Sequence, residues 1–270
     1  MIKVDNHMHS SFSGDATFPM EEMVEESIKL GLKTITFTDH LDLDYAEEPG
    51  LFELDLANYV PKVLQIKESY QKDIEILLGL ELGLQPHLAE IHQKIVSSYP
   101  WDYVIGSSHV VKGVDPYYPA FWEKLSEEKG YRLYFESILE NIHAFNNFDA
   151  YGHLDYIVRY GPNKDKFYSY EKYSDIIDVV LKAMIVENIA LEVNAGAFRN
   201  DMAHPNPCED IIKKYLKLGG QNITIGADAH RPVQIALEYE KLERILRECG
   251  VKKLTIFRKR KPEVETFLLP

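Results

Sequence analysis

The chain has 270 residues, 45% of them hydrophobic, which is enough to bury the core of one ordinary α/β domain. Its formal net charge of -13 disfavours nucleic acid as the main partner, and no apolar run is long enough to span a membrane. No signal peptide precedes the first predicted strand, and Cys208 and Cys249 have no CxxC spacing, so we expect a cytoplasmic protein without a disulfide or thiolate site.

Short apolar or β-branched segments alternate with amphipathic segments along the chain, which is typical of parallel strands joined by helices. Seven strands are predicted, at residues 3–6, 34–38, 74–80, 103–106, 150–152, 190–193 and 223–226. Helices are predicted at residues 19–30, 56–70, 86–97, 133–145, 173–187, 209–218 and 233–248. No linker or repeat divides the sequence, so we predict one α/β domain, a parallel barrel that is distorted because it has seven strands.

Four longer irregular segments, residues 41–55, 110–130, 155–172 and 196–207, each follow a predicted strand. In a parallel barrel such loops lie on the face where active sites form. The basic segment FRKRK, residues 257–261, is interpreted as a solvated tail.

The carboxyl ends of these strands carry potential metal ligands. In the segment VDNHMHSSFSGD, His7 and His9 alternate with Met8, so both imidazoles can face one point. The other strand-end residues occur in TFTDH, LGLELG, IGSSH, YGHLD and TIGADAH. They are Asp39, His40, Glu81, His109, His153, Asp228 and His230. Closing the sheet would bring the whole set onto one face.

Imidazoles and carboxylates without thiolates suit zinc, manganese or iron(II) better than magnesium or calcium. The set holds more ligands than one ion can take, so we expect two or three ions. The remaining histidines are interpreted as structural; they are His87, His92, His143 and His204.

The ordered series DxHxH, TDH, a Glu after the third strand, SSH, GHLD and GADAH resembles the PHP superfamily, named for polymerase and histidinol phosphatase. The chain also resembles the histidinol-phosphate phosphatase branch of this superfamily in its length, its undivided domain and two arginines, Arg159 and Arg199. The resemblance implies a distorted (β/α)7 barrel with three divalent ions. The implied ligands are His7, His9, Glu81 and Asp228 for the first ion, Glu81, His109 and His153 for the second, and Asp15, His40 and His230 for the third.

The resemblance also implies the substrate, L-histidinol phosphate, a small-molecule partner, which such a site would hydrolyse through a metal-activated bridging hydroxide. Arg159 and Arg199 are predicted to hold the phosphate, and Ser107 and Ser108 could donate to it. A proton donor to the leaving oxygen is also expected. The predicted donors are Asp228 first and His230 second.

Further assignments concern residues around the ligands. Asp5, Asp39 and Asp155 could accept hydrogen bonds from ligand imidazoles. The segment DPYYPAFW, residues 115–122, could form an aromatic pocket wall or simply pack on itself. Two other functions stay open: a PHP phosphoesterase acting on a phosphotyrosine protein or a nucleotide, and a non-catalytic metal-binding domain. The sequence leaves the oligomeric state open.

Overall fold

The structure, a computed structural model, describes residues 2–265 and has a barrel of parallel strands at its centre. The strands are β1 Val4–Met8, β2 Thr34–Phe37, β3 His40–Leu41, β4 Glu75–Gly83, β5 Tyr103–Ser107, β6 Ala150–Tyr151, β7 Ala190–Asn194 and β8 Ile223–Gly226. Seven of them pair side by side in the order β1-β2-β4-β5-β6-β7-β8, and the short β3 extends the pairing beside β4. The seven predicted strands and the distorted (β/α)7 barrel are therefore confirmed.

The barrel closes through a few bonds between its first and last strands. The amide of Asp228 donates to the carbonyl of His7 over 2.9 Å, and the amide of His9 donates to the carbonyl of Ala229 over 2.9 Å. The register of β1 against β2 also shifts between Asp5 and Met8. This narrow, irregular seam places the end of β1 directly beside the loop after β8, where the ligand candidates lie.

Helices surround the barrel and cover its apolar strands. They are α1 Met20–Lys29, α2 Leu56–Ser69, α3 Ala89–Ser98, α4 Pro119–Trp122, α5 Glu127–Ala144, α6 Ser174–Val186, α7 Glu209–Lys217 and α8 Tyr239–Glu248. The side chain of Asp55 caps α2 by accepting from the amide of Asn58, and Ser126 caps α5 in the same way. None of the helices within residues 2–265 has the length and apolar character needed to cross a membrane.

Three helices begin more than two residues from their predicted starts. Helix α3 begins at Ala89, because Pro86–Leu88 forms a 3₁₀ helix instead. Helix α5 begins six residues before the predicted start, because the side chain of Ser126 caps it by accepting from the amide of Lys129. Helix α8 begins only at Tyr239, because Ala236 and Glu238 adopt positive φ angles of 51° and 59° that interrupt a helix. Two of the four longer segments after the strands also contain short 3₁₀ helices, including Tyr156–Arg159 and Ala195–Asn200.

The prediction of a solvated basic tail at residues 257–261 is wrong. This segment belongs to an antiparallel hairpin of β9 Leu254–Arg258 and β10 Lys261–Glu265. Phe257 is buried and its ring stacks on that of Tyr103 at 5.4 Å, while Arg258 and Arg260 form ion pairs with Glu75 and Asp149. The hairpin therefore covers the amino-terminal end of the barrel. The predicted single domain spans residues 1–270, of which 1 and 266–270 lie outside the described residues.

Candidate metal centre and active site

The first strand brings its two histidines together at the barrel mouth. The Nε2 atoms of His7 and His9 lie 3.1 Å apart, and both side chains are fully buried. Met8, between them, points into the hydrophobic core. The alternating geometry predicted from the HxH spacing is therefore confirmed.

Glu81 lies at the centre of the site, on β4, with its two carboxylate oxygens facing different imidazoles. Its Oε2 atom lies 3.2 Å from Nε2 of His7 and 2.9 Å from Nδ1 of His40. Its Oε1 atom lies 2.9 Å from Nε2 of His153 and 3.3 Å from Nε2 of His109. This carboxylate is therefore placed to be shared between two ions.

The predicted ligands gather at one place, although they come from six of the barrel strands and the segments after them. Side chains whose ligand atoms lie within 4.8 Å of one another form four overlapping groups. These are His9, His40 and His230; His7, His9 and Glu81; His40, Asp42 and His109; and Glu81, His109 and His153.

Two carboxylates complete the predicted set at its edges. Oδ1 of Asp228 lies 3.4 Å from Nε2 of His9 and 3.8 Å from Nε2 of His7. Oδ2 of Asp15 lies 3.1 Å from Nε2 of His230 and 3.8 Å from Nε2 of His40. Asp15 is the exposed member, with 41% of its side chain accessible, so it faces solvent from the rim of the cluster.

Two acidic side chains that sequence reasoning missed orient the ligand imidazoles. Oε1 of Glu192, on β7, lies 2.6 Å from Nδ1 of His7, and Oδ1 of Asp42 lies 2.7 Å from Nδ1 of His109. Carboxylates in this position fix the imidazole tautomer and make the opposite nitrogen a better ligand. The signal for Glu192 was a lone acid within the strand ALEVN, between Leu191 and Val193.

The three aspartates predicted for this orienting role contact other groups. Asp5 accepts from the backbone amides of Ala227 and His7, and Asp155 accepts from Asn206 and Cys208. Asp39 holds the loop after β1 by accepting from the amides and hydroxyls of Ser10 and Ser13. That prediction is therefore wrong as a direct contact, since none of the three hydrogen-bonds to a ligand imidazole within residues 2–265.

The charges in this cluster perturb one another strongly. Burial lowers the pKa of His7, but Glu192 and Glu81 outweigh it and raise that pKa well above its usual value. For His40, burial is likewise outweighed by Glu81 and Asp15, which raise its pKa to about 9. Burial raises the pKa of Glu81, but surrounding imidazoles hold it well below its usual value.

Several buried polar atoms of the cluster have no hydrogen bond within the described residues. Oε2 of Glu81 and Nδ1 of His40 are two of them, although they lie only 2.9 Å apart. Leaving such atoms unsatisfied in a protein interior costs free energy. Divalent cations fit this donor set, because they would take the place of the protons that the imidazoles hold and satisfy the free carboxylate oxygen.

Both predicted arginines line the same cavity, and both lie in 3₁₀ helices. Nη1 of Arg159 lies 3.1 Å from Oδ2 of Asp228, and its other nitrogens donate to the side chains of Asn194 and Asn206. Arg199 donates to the carbonyl oxygens of Ala227 and Asp228. The two guanidinium groups therefore line the cavity beside the candidate ligand Asp228.

The two serines do not reach the cavity, contrary to the prediction that they bind phosphate. Both are fully buried: Ser107 donates to Oε1 of Glu81 over 2.7 Å, and Ser108 bonds to the hydroxyl of Tyr151 over 2.6 Å. The hydroxyl of Ser107 therefore orients Glu81.

The aromatic segment at residues 115–122 packs mainly on itself, which was the second of its two predicted roles. The rings of Phe121 and Trp122 lie 4.9 Å apart. Of this segment, only Asp115 lines the cavity within the described residues. The aromatic part of the cavity wall comes instead from other segments and comprises Tyr45, Phe52, Tyr156 and Tyr160.

A parallel barrel whose carboxyl-terminal mouth gathers imidazoles around a shared glutamate defines a metal-binding barrel enzyme. The chain belongs to the PHP domain family, which matches it over residues 5–196.

Two curated relatives cover nearly the whole chain. A histidinol-phosphatase of Lactococcus lactis is 31% identical over 95% of both chains. A probable histidinol-phosphatase of Clostridium acetobutylicum is 30% identical over 92% of this chain and 94% of its own.

Two solved structures share the fold. Histidinol phosphate phosphatase of Lactococcus lactis, complexed with zinc, L-histidinol and phosphate, superposes with a TM-score of 0.90 at 30% identity, covering 97% of this chain and 98% of that one. A putative histidinol phosphatase of Listeria monocytogenes has a TM-score of 0.77 at 20% identity, covering 88% of this chain and 99% of that one.

Proposed function

We propose that this chain is a metal-dependent phosphomonoesterase that hydrolyses L-histidinol phosphate to L-histidinol and phosphate, a step of histidine biosynthesis. The observation that carries the proposal is the close match, in fold and over the whole chain, to the Lactococcus lactis enzyme with zinc, L-histidinol and phosphate. The cavity beside the metal cluster has a volume of about 270 Å³, near the lower end for small-molecule sites, so it suits a metabolite better than a protein substrate.

The proposed cofactors are three divalent ions of zinc, manganese or iron. His7, His9, Glu81 and Asp228 would hold the first ion, Glu81, His109 and His153 the second, and Asp15, His40 and His230 the third. In each of these groups, ring nitrogens lie within 4 Å of carboxylate oxygens. When bound, such ions supply concentrated positive charge and a strong nucleophile at neutral pH.

Arg159 and Arg199 would bind the phosphate oxygens. Asn194 and Asn206 hold the guanidinium of Arg159 at the cavity wall through hydrogen bonds of 2.9 and 2.6 Å, and a planar guanidinium can meet two phosphate oxygens at once. The same guanidinium stabilises the ionised carboxylate of Asp228. A phosphate that draws Arg159 towards itself would weaken that ion pair.

The leaving oxygen needs a proton, and we keep Asp228 as the first candidate donor, once it has taken the proton of the attacking water, and His230 as the second. Asp228 is well placed because it lines the cavity and because its contact with Arg159 can be exchanged for phosphate. His230 also lines the cavity, with 19% of its side chain accessible, and its Nδ1 atom lies 2.9 Å from the carbonyl oxygen of Asp228.

We further propose that residues 1–270 act as one PHP-type domain and that the protein works in the cytoplasm. Two buried, free cysteines, Cys208 and Cys249, agree with a reducing compartment.

The substrate proposal is tested by initial rates on L-histidinol phosphate, phosphotyrosine and a nucleoside monophosphate, measured with the same metal-loaded protein. We expect kcat/KM for L-histidinol phosphate to exceed the other two values by more than about tenfold, equivalent to about 1.4 kcal/mol of transition-state binding. A smaller preference would contradict this substrate and favour another phosphate ester.

A further inference from the structure

Besides the ligand cluster, the cavity is lined by residues that have no role in the proposed hydrolysis so far. Tyr156 lies beside the cluster, with its ring 5.4 Å from that of His109 and 4.9 Å from that of Tyr160. Asp115 and Tyr45 also line the cavity and are joined by a hydrogen bond of 2.7 Å. With the phosphate at the cluster, the leaving group of a bound ester would lie against these residues.

Asp115 differs from the other carboxylates that line the cavity. Asp15, Asp42 and Asp228 each lie within 4 Å of an imidazole nitrogen in the cluster. Among residues 2–265, by contrast, Asp115 forms ion pairs with no histidine, lysine or arginine; its oxygens accept from the hydroxyl of Tyr45 and the amide of Tyr117. Among the described residues, Asp115 is therefore the carboxylate of the cavity lining that has no positively charged partner in the protein.

A carboxylate in this position carries a free-energy cost that a ligand could offset. Asp115 is only 5% exposed, and its two neutral donors leave further lone pairs unused. Burying a carboxylate without a positive partner is unfavourable. Elsewhere in the protein, the similarly buried Asp149 has such a partner in Arg260.

We infer that Asp115 binds the protonated amino group of the substrate and so selects phosphate monoesters of amino alcohols over esters that lack the amine. The inference rests on the proposed function, because the phosphate must lie at the ligand cluster for the leaving group to reach Asp115. The rings of Tyr156 and Tyr160, which line the cavity and meet edge to face, add an aromatic surface to the same site.

A purely structural role for Asp115 would look different in solution. Asp115 also joins two loops: its carboxylate accepts from the hydroxyl of Tyr45, and its backbone amide donates to the side chain of Glu47 over 2.9 Å. Loosening those loops would slow all esters by a similar factor. Recognition of an amine would instead change the ratio between two esters that differ only in the amine.

The test compares L-histidinol phosphate with 3-(imidazol-4-yl)propyl phosphate, which lacks the amino group, in the metal-loaded enzyme and in Asp115→Asn. We expect the unchanged enzyme to prefer the amine-bearing ester by roughly 10- to 100-fold in kcat/KM, from one charge-assisted hydrogen bond. Asp115→Asn should lose most of that preference through a higher KM for L-histidinol phosphate. An equal loss for both esters would overturn the inference.

Two control variants separate charge from loop structure. Asp44→Asn makes the same chemical change at an exposed carboxylate on the neighbouring loop, and the ester preference should stay within about twofold of the unchanged enzyme. Tyr45→Phe removes one hydrogen bond to Asp115 and keeps its charge, so both esters should change by the same factor. Loss of the preference in Asp44→Asn would overturn recognition by Asp115.

Failure of this inference can be told apart from failure of the proposed function. If the unchanged enzyme hydrolyses both imidazole esters equally well and far faster than phosphotyrosine, only the role of Asp115 is overturned. If it hydrolyses neither faster than phosphotyrosine, the proposed substrate itself is overturned, and the inference that depends on it is overturned too.

Discussion

The two ends of the barrel use charged side chains in opposite ways. At the amino-terminal end, Arg258 pairs with Glu75 over 2.6 Å, and Phe257 stacks on Tyr103 beside them. At the carboxyl-terminal mouth, several buried imidazoles share the carboxylate of Glu81, and Oε2 of that residue lacks a hydrogen bond to any described residue. Charges that only stabilise a fold are matched by protein partners, whereas a buried excess of ligand atoms indicates that cations complete the arrangement.

The largest expected effect is a loss of turnover in Glu81→Ala, compared with Glu75→Ala near the other end of β4. Glu81→Ala removes the carboxylate that lies within 4 Å of five imidazoles, so we expect turnover to fall below detection and bound metal to decrease. Glu75→Ala, six residues earlier on β4, removes the ion pair with Arg258 and a hydrogen bond from Thr34, and it should leave kcat unchanged. Rates and metal content of both variants check the comparison. Wild-type turnover in Glu81→Ala would contradict a shared ligand.

Arginine substitutions at the two ends of the barrel should also differ in their effect on the rate of hydrolysis. Arg159→Ala and Arg199→Ala should each cost roughly 2–4 kcal/mol of transition-state stabilisation, because both face the proposed phosphate position. Arg258→Ala removes the same charge at the opposite end of the barrel and should not change kcat/KM. Steady-state kinetics on L-histidinol phosphate provide the measurement. An unaltered rate in either cavity variant would show that its guanidinium does not contact the phosphate.

A smaller effect is expected for the carboxylate behind His7. Glu192→Gln keeps the size of the side chain but weakens its hold on Nδ1 of His7, 2.6 Å away. Removing such an orienting carboxylate commonly lowers metal affinity or activity by about 10- to 100-fold. Competition with a chelator should therefore strip the variant at lower chelator concentration than the unchanged protein. Equal metal retention would mean that His7 is positioned without Glu192.

The smallest expected effect concerns a histidine outside the mouth. Burial lowers the pKa of His92 to about 4, and neither ring nitrogen has a hydrogen bond within the described residues. Its neutral form is therefore favoured by folding: the associated stability is present above pH 6.5 and is lost as the pH falls towards 4. Between pH 7 and 5 this loss should be about 1–2 kcal/mol of unfolding free energy.

The corresponding measurement is urea unfolding at pH 7 and pH 5. His92→Leu should lose less stability than the unchanged protein over this interval, because it removes the group that the unfolded chain protonates. His143→Leu, at an exposed position on α5, serves as the control and should follow the unchanged protein. Identical pH dependence in His92→Leu and the unchanged protein would contradict the lowered pKa.

The sequence was most informative where local pattern determines position. Alternation places His7 and His9 on one side of β1, and the rule that active sites form at carboxyl ends of parallel strands predicts where Glu81 and His109 meet. The role of Glu192 was not predicted, because its neighbours have the pattern of an ordinary buried strand. The hairpin was not predicted, because the basic segment FRKRK is typical of an exposed tail. An acidic partner of this segment lies far away in the sequence: Arg258 pairs with Glu75, 183 residues earlier.

Contacts made by side chains across loops were the least predictable. Asp42 reaches His109 from a different loop, 67 residues away in the chain, and no spacing rule connects the two. Ser108 follows a strand end as predicted, yet Tyr151 and Asn141 hold its hydroxyl inside the protein. Such pairings depend on how helices and loops pack around the barrel.

Elemental analysis of protein purified without chelator measures whether the barrel mouth holds a shared cluster. We expect about three zinc, manganese or iron ions per chain in the unchanged protein, in keeping with the overlapping ligand groups around Glu81. Fewer than two ions per chain would contradict a shared cluster at this mouth.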